Sequence, residues 1–463
     1  MENTYTNLMT NTSKDVFIPK VPSVLGAMLM SKVSRQKEGF REDLIHMVES
    51  DMINLPKEDI YQQFEHSYVV ANGFMEKWGV NYGHSSIKEL DHLQMCIENK
   101  SRWFTERIET LNNNAFWSYI EYSQRYNPPK DYVTPKELEG SQTLTKEYTA
   151  FTQARFKDYE RMMVLMRKVL TDKFPHMKKG DVEKLAFENA RNVLPLSVKS
   201  NMGIAVNLRA FCDGLSELFS HEGLCQEAVD TAEEMKNEGA KVSYGMVKHV
   251  EPTAFGKSRI QGSFKRKHPT IKPRQIYDRP VVVVEGAVEW THEDQEAAGD
   301  LALMSRFDDL PKTFKEKGLS VDLLTSEGCH HQLIRHRAFQ IQPYFPDVDY
   351  GLMLPPELVE HSDTPEGKEA KEILIRAYQE SCDLSDRFKD AGLQTITPYV
   401  ILNANNRPSR FFGNLYAMSH FITLRADAHA QDEIRFVVQA LEEAYVPWEK
   451  AVTGLRMNRM EKK

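Results

Sequence analysis

The feature that most constrains this chain is a repeated order of elements. Residues before Leu218 and residues after Pro280 both read as strand, short helix, irregular segment, long helix, loop and helix pair. In the first half, residues 90–99 alternate as a strand does, and residues 102–111 carry helical periodicity. Residues 146–170 predict a long amphipathic helix, 182–194 a second, and the stretches from Asn207 toward Phe219 and over 226–236 two more. In the second half, residues 280–290 (PVVVVEGAVEW) are β-branched and bounded by proline, a strand signature, and 319–324 is a second strand candidate. Residues 368–388 predict an amphipathic helix, and 411–445 are predicted predominantly helical. The expectation is an α+β fold of two tandem units, each a small, mostly antiparallel sheet packed with long helices.

The boundaries expected are a loose N-terminal arm (1–21), a first unit (22–240), a basic linker (241–279) and a second unit (280–463). The linker carries Lys257, Arg259, Lys265, Arg266, Lys267, Lys272 and Arg274 among Gly and Pro, and reads as a solvated linker or mobile loop.

Composition removes several function classes. The chain has 463 residues, 41% hydrophobic and 27% charged, with a formal charge of -8, which argues against coating nucleic acid. It has no apolar run long enough for a membrane helix, and its polar first 20 residues lack a signal-peptide centre. Cys96, Cys212, Cys225, Cys329 and Cys382 lack metal or redox spacing, so reduced thiols and a cytoplasmic location are expected. His330, His331 and His336 do not share a face as metal ligands would, and no metal is expected.

Against that acidic background stands Gln332-Leu333-Ile334-Arg335-His336-Arg337. On a helix end, Gln332 shares a face with Arg335 and His336. Guanidinium forks clamp phosphate or stack on a heterocycle, and a glutamine reads an amide-like edge such as uracil's. The competing reading is the solvated end of a surface helix.

Other stretches add to this one. The first half holds Gly83-His84-Ser85-Ser86 with Glu89, then Glu121-Tyr122-Ser123-Gln124-Arg125-Tyr126, Ala190-Arg191-Asn192-Val193-Leu194-Pro195 and Asn207-Leu208-Arg209. The second holds Arg335-His336-Arg337, Ser409-Arg410-Phe411-Phe412 with Asn414, and Leu424-Arg425-Ala426-Asp427-Ala428-His429-Ala430-Gln431-Asp432-Glu433-Ile434. Together they resemble the flavin-dependent thymidylate synthases, as two such units in tandem. The departures are complementary. In the first half Asn113-Asn114-Ala115 stands for Arg-His-Arg, and Leu218 and Glu222 stand for Arg425 and His429. In the second, Pro343, Phe345 and Asp347 stand for Glu121, Ser123 and Arg125, and Thr397-Pro398-Tyr399 lacks the arginine of the Ala-Arg turn.

The resemblance implies one composite nucleotide site, with Gln332, Arg335 and Arg425 from the second half and Glu121, Ser123, Gln124, Arg125 and Arg191 from the first. It implies Arg335 and Ser123 as catalytic residues, Arg335 stabilising charge drawn onto the uracil ring. It assigns FAD to His84, Ser86, Glu89, Asn207 and Arg209, and to His336, Arg337, Asn414 and His429. His420 and Tyr416 depart from the family pattern there. The implied reaction is reductive methylation of dUMP to dTMP with methylenetetrahydrofolate and NADPH, in a homodimer of chains. The alternatives are hydroxymethylation of a pyrimidine nucleotide at C5 and a non-catalytic nucleotide-binding paralogue.

Overall fold

The computed structural model describes residues 5–33, 38–54, 58–60, 65–81, 85–268, 271–286, 291–300, 303, 311–426 and 430–444. In chain order its strands are β1 (Val16–Phe17), β2 (His92–Ser101), β3 (Trp117–Glu121), β4 (Lys199–Asn207), β5 (Ile276–Tyr277), β6 (Val281–Glu285), β7 (Gly318–Ser326), β8 (Gln340–Pro343), β9 (Leu352–Met353) and β10 (Asn406–Asn414). Two antiparallel four-stranded sheets form, in the orders β1-β2-β4-β3 and β6-β7-β10-β8, and β5 pairs with β9 in parallel. With the long helices Gln142–Lys173, Gln226–Val247 and Pro365–Asp390, the fold is α+β, with two sheets of one topology.

The same local chemistry builds both sheets. β2 runs into the helix Arg102–Glu109 through Ser101, whose Oγ accepts from the Phe104 amide. β7 runs into the helix Glu327–Leu333 through Ser326, whose Oγ accepts from the Cys329 amide. Each cap satisfies an otherwise orphaned helix amide. A carboxylate then grips each cap by its backbone and hydroxyl: Glu227 accepts from Ser101 N at 2.7 Å and Oγ at 2.6 Å, and the buried Glu433 from Ser326 N at 2.7 Å and Oγ at 2.5 Å. At the far ends of β4 and β10, Asn207 and Asn414 cap the helices Leu208–Phe219 and Leu415–Arg425 by accepting from Ala210 N and Ala417 N, both at 2.9 Å.

The compact units are not the contiguous halves expected from the sequence. The first comprises residues 1–157, 194–265 and 384–400, and the second 158–193, 266–383 and 401–463. Each unit therefore includes a segment from the other half of the sequence, while each sheet takes its four strands from one half. In the second unit the borrowed turn is tied in by Asn403 Nδ2 donating to Arg191 O at 2.9 Å and Ala404 N donating to Asn192 O at 3.1 Å. That unit's core gathers Phe314, Val321, Leu333, Phe339, Phe411, Phe421, Ile434 and Leu441.

Three other expectations are corrected. The stretch 241–279 is no loop: it contains the end of the Gln226–Val247 helix and the helix Ala254–Lys265. Its cations find carboxylates, Lys257 with Glu222 and Arg259 with Glu217, and Lys267 with Asp347 and Arg274 with Asp349. The arm before residue 22 is not loose, because Val16 and Phe17 pair with β2 and Leu8 and Met9 are buried. Residues 411–414 are strand, not helix. Finally, the middle strands β4 and β10 escaped the sequence reading. The β10 sequence (NRPSRFFGN) lacks apolar alternation, yet Asn406, Arg407 and Ser409 are buried, each with a polar partner. Residues 287–290 of the expected strand lie outside the described residues.

Candidate functional site

The Glu327–Leu333 helix is buried along its whole length, which excludes the solvated surface helix as its reading. It ends at Ile334, so Arg335, His336 and Arg337 follow the helix rather than forming its last turn. Gln332 and His336 are 8% and 7% exposed, while Arg335 and Arg337 are half-buried.

Three residues distant in sequence converge on Gln332 within the second unit. Gln431, at the entry to the helix Asp432–Ala444, places Oε1 2.7 Å from Arg191 Nη2 and accepts a close hydrogen bond from Gln332 Nε2. Gln332 Nε2 also donates to Gly328 O at 3.2 Å. Arg425, from the end of the Leu415–Arg425 helix, donates through Nε to His336 Nε2 at 2.8 Å, with Nη2 3.5 Å from Gln332 O. Arg191 comes from the borrowed segment and is 4% exposed. The arginine of the first sequence half and the Gln-x-x-Arg-His-Arg run of the second thus belong to one compact unit.

Electrostatics fixes protonation states here. Burial, then the Arg425 guanidinium and His420, push the His336 imidazole down to about 3. It is neutral at physiological pH, and since a guanidinium only donates, Nε2 is the acceptor and Nδ1 carries the proton. Glu433 is raised by burial, opposed by its bonds from Ser326 and by the charge of Arg191.

Alignment on the serine caps shows what the first unit has instead. Counting from Ser101 and Ser326, Thr110-Leu111-Asn112 is equivalent to Arg335-His336-Arg337. Three extra residues precede β3 in the first unit, so a count back from Ser123 falls on Asn113-Asn114-Ala115 instead. Leu111 and Leu218, 2% and 0% exposed, hold the places of His336 and Arg425. Where Arg191 stands beside Glu433, the first unit has Tyr399, whose hydroxyl donates to Glu227 Oε2 at 2.6 Å.

The remaining expected residues are placed as follows. Glu121 is buried and accepts from Thr105 Oγ1 at 2.6 Å, Ser200 Oγ at 2.8 Å and Arg102 Nη1 at 3.2 Å, so its carboxylate is occupied within its own unit. Ser123 and Arg125 are half-buried in the turn after β3, where Ser123 Oγ accepts from Arg125 N at 3.3 Å, and Gln124 is buried. Glu89 and Arg209 form an ion pair with one another at 2.5 Å, and Ser86 is exposed on the short turn Ser85–Glu89. Asn207 and Asn414 spend their Oδ1 atoms on helix caps. His84 and His429 lie outside the described residues. Of the expected flavin set, Arg337 and the Nδ1–H of His336 suit an electron-rich ring or anionic group, whereas the Glu89–Arg209 pair has neutralised itself. Gln431 was not singled out from sequence, although it sits in the motif that carried Arg425 and His429. Among the described residues no helix is long and apolar enough to cross a membrane.

Comparison with known proteins identifies what the chain is similar to. The UPF0159 protein Ta1429 of Thermoplasma acidophilum is 21% identical over 436 residues, covering 81% of this chain and 86% of its own. The flavin-dependent thymidylate synthase of Mycobacterium marinum is 35% identical over 130 residues, 24% of this chain and 50% of its own. That of Clostridium tetani is 25% identical over 190 residues, 40% and 72% respectively. The chain thus spans about half the length of the mycobacterial relative. A solved UMP/dUMP methylase, PolB from Streptomyces cacaoi bound with 5-Br UMP, aligns with a TM-score of 0.34 at 17% identity, covering 40% of this chain and 96% of that one. The model of the thymidylate synthase complementing protein family matches residues 29–243 and 302–448, most of the sequence, and the chain belongs to that family.

Proposed function

We propose that this protein is a flavin-dependent enzyme acting at C5 of a pyrimidine nucleotide, by reductive methylation of dUMP to dTMP with methylenetetrahydrofolate and NADPH. The observation that carries the reading is the gathering of Arg191, Gln332, Arg425 and His336 in the second unit, two guanidinium groups beside a carboxamide and a neutral imidazole. Guanidinium groups match the phosphate and the ring oxygens of a nucleotide, and a carboxamide matches its ring edge.

In this reading Arg335 lends positive charge to the uracil ring as C5 turns nucleophilic, an interaction strengthened where water is excluded. Ser123 and Arg125 take part in binding the phosphate, and Glu121 and Gln124 support the turn that carries them. A bound flavin supplies the redox step, and Arg337 with the Nδ1–H of His336 are the residues proposed to hold it. The decisive experiment incubates the purified protein with FAD, dUMP, methylenetetrahydrofolate and NADPH and determines the product mass. A methylated nucleotide is expected. A hydroxymethylated product replaces this reaction by its sister, and a protein that stays colourless and leaves dUMP unchanged overturns the reading.

A further inference from the structure

Gln431 is a positioning residue whose chemistry decides which face Gln332 offers. Its carboxamide meets Arg191 Nη2 at 2.7 Å, and a guanidinium can only donate, so the atom turned toward it is Oε1. The same Oε1 faces Gln332, which must therefore present its NH2 group. Gly328 O, 3.2 Å from the same nitrogen, imposes the same orientation independently. A chain of hydrogen bonds that begins at a donor-only group thus fixes the polarity of both amides. What remains is Gln332 Oε1, which is buried with no hydrogen-bond partner among the described residues. A buried acceptor without a donor is costly until a ligand supplies one.

We propose that Gln431 locks Gln332 as a hydrogen-bond acceptor, so that the site selects a pyrimidine carrying hydrogen on the ring nitrogen that faces it. That is the uracil class; in the same pose cytosine presents a lone pair to a lone pair. This inference rests on the nucleotide site proposed above.

The test measures dUMP and dCMP binding by titration calorimetry on the full chain. Wild type is expected to prefer dUMP by about tenfold or more, the worth of one well-placed hydrogen bond. Gln431→Glu keeps an acceptor for both donors and should hold that preference. Gln431→Leu removes the acceptor, frees the Gln332 amide to turn, and should cut the ratio by about tenfold. Equal weakening of both ligands by Gln431→Leu, leaving the ratio as it was, overturns the lock. If Gln431→Leu does not fold, Gln431→Glu still decides, because a folded Gln431→Glu protein without the preference also overturns it. A wild type that binds dUMP and dCMP equally ends this inference alone, whereas one that binds neither ends the nucleotide reading with it.

Discussion

Arg425 Nε lies 2.8 Å from His336 Nε2, so a guanidinium donates to an imidazole that cannot take up a proton without losing that bond. The imidazole is held down to about 3, against an ordinary value near 6.5. Between those values an unfolded chain binds a proton that the folded chain refuses, so stability is present above pH 6.5 and is lost as pH falls toward 3.

The first prediction follows from that sign. Lowering the pH from 6.5 to 4.5 should cost the wild type stability through His336 with a slope approaching about 1.4 kcal/mol per pH unit. His336→Asn should flatten this limb in urea unfolding compared at the two pH values. His221 is also buried and held to about 3 by burial and by Arg107, so part of the limb should persist. An identical acid slope in His336→Asn would contradict the assignment of a neutral imidazole.

A second prediction concerns a buried ion pair kept in both sheets with its charges exchanged. Arg102 meets Glu121 at 3.2 Å in the first, and Glu327 meets Arg407 at 2.8 Å in the second. Arg102 and Glu327 each follow a serine cap, and Arg407 stands at the strand position of Ser200. Pro343 holds the place of Glu121, so the second sheet has no strand carboxylate there and pairs from the other side. Arg407→Met should destabilise by about 3–5 kcal/mol by taking a buried counter-charge from Glu327, whereas adding Glu327→Leu should recover much of that loss. Chemical denaturation of the three variants checks it, and strictly additive costs would show the two groups uncoupled.

How far this was legible in the sequence depends on where polar residues are spent. Strands β2, β6 and β7 and the long helices follow their apolar patterns, although β2 also buries Glu98 and Lys100 and β7 buries Thr325. β10 did not, because Asn406, Arg407 and Ser409 are buried in polar contacts, with Tyr350 O, Glu327 and His330, that periodicity cannot anticipate. The arginines and Gln332 stood out by motif. Gln431 was hidden because its role depends on a contact with Arg191, 240 residues away. The exchange of segments between units was hidden for the same reason: local pattern says that a helix is long, not where its end packs.

A third prediction addresses the borrowed arginine. Arg191→Ala should weaken dUMP binding by roughly ten- to hundredfold, the loss of a charge-assisted hydrogen bond worth about 1.5–3 kcal/mol. Arg191→Lys keeps a donor for Gln431 and should lose less. Calorimetric titration distinguishes the two, and unchanged affinity in Arg191→Ala would remove this residue from the site.

The turn after β3 supplies a fourth. Arg125 was assigned to the phosphate by resemblance, and Asp347 holds its place in the second unit. Arg125→Ala should weaken dUMP at least about tenfold while deoxyuridine, which has no phosphate, is affected little. Equal loss for both ligands would assign Arg125 to the fold rather than the phosphate.

The last prediction uses the two units as controls for one another. Leu111 and Leu218 are both buried in the first, and His336 and Arg425 hold the same places in the second, joined by a hydrogen bond. An apolar combination at these two places thus corresponds to a polar one, and the mixed combinations are those physics disfavours. Leu111 Cδ1 sits close to Gly214, next to the Trp117 ring, so this side of the first unit is filled by apolar packing. Leu111→His places an imidazole there with no arginine to donate to it, and should cost about 1–3 kcal/mol for the unpaired buried nitrogen beyond the lost packing. Leu218→Arg alone buries an unpaired charge and should cost more. Together the two substitutions recreate the partners found in the second unit, so the double variant should be more stable than the sum of the single costs predicts. Urea unfolding of the four proteins gives the coupling directly. A coupling near zero would mean that the first unit's backbone no longer brings these places together, and that its divergence has gone beyond its side chains.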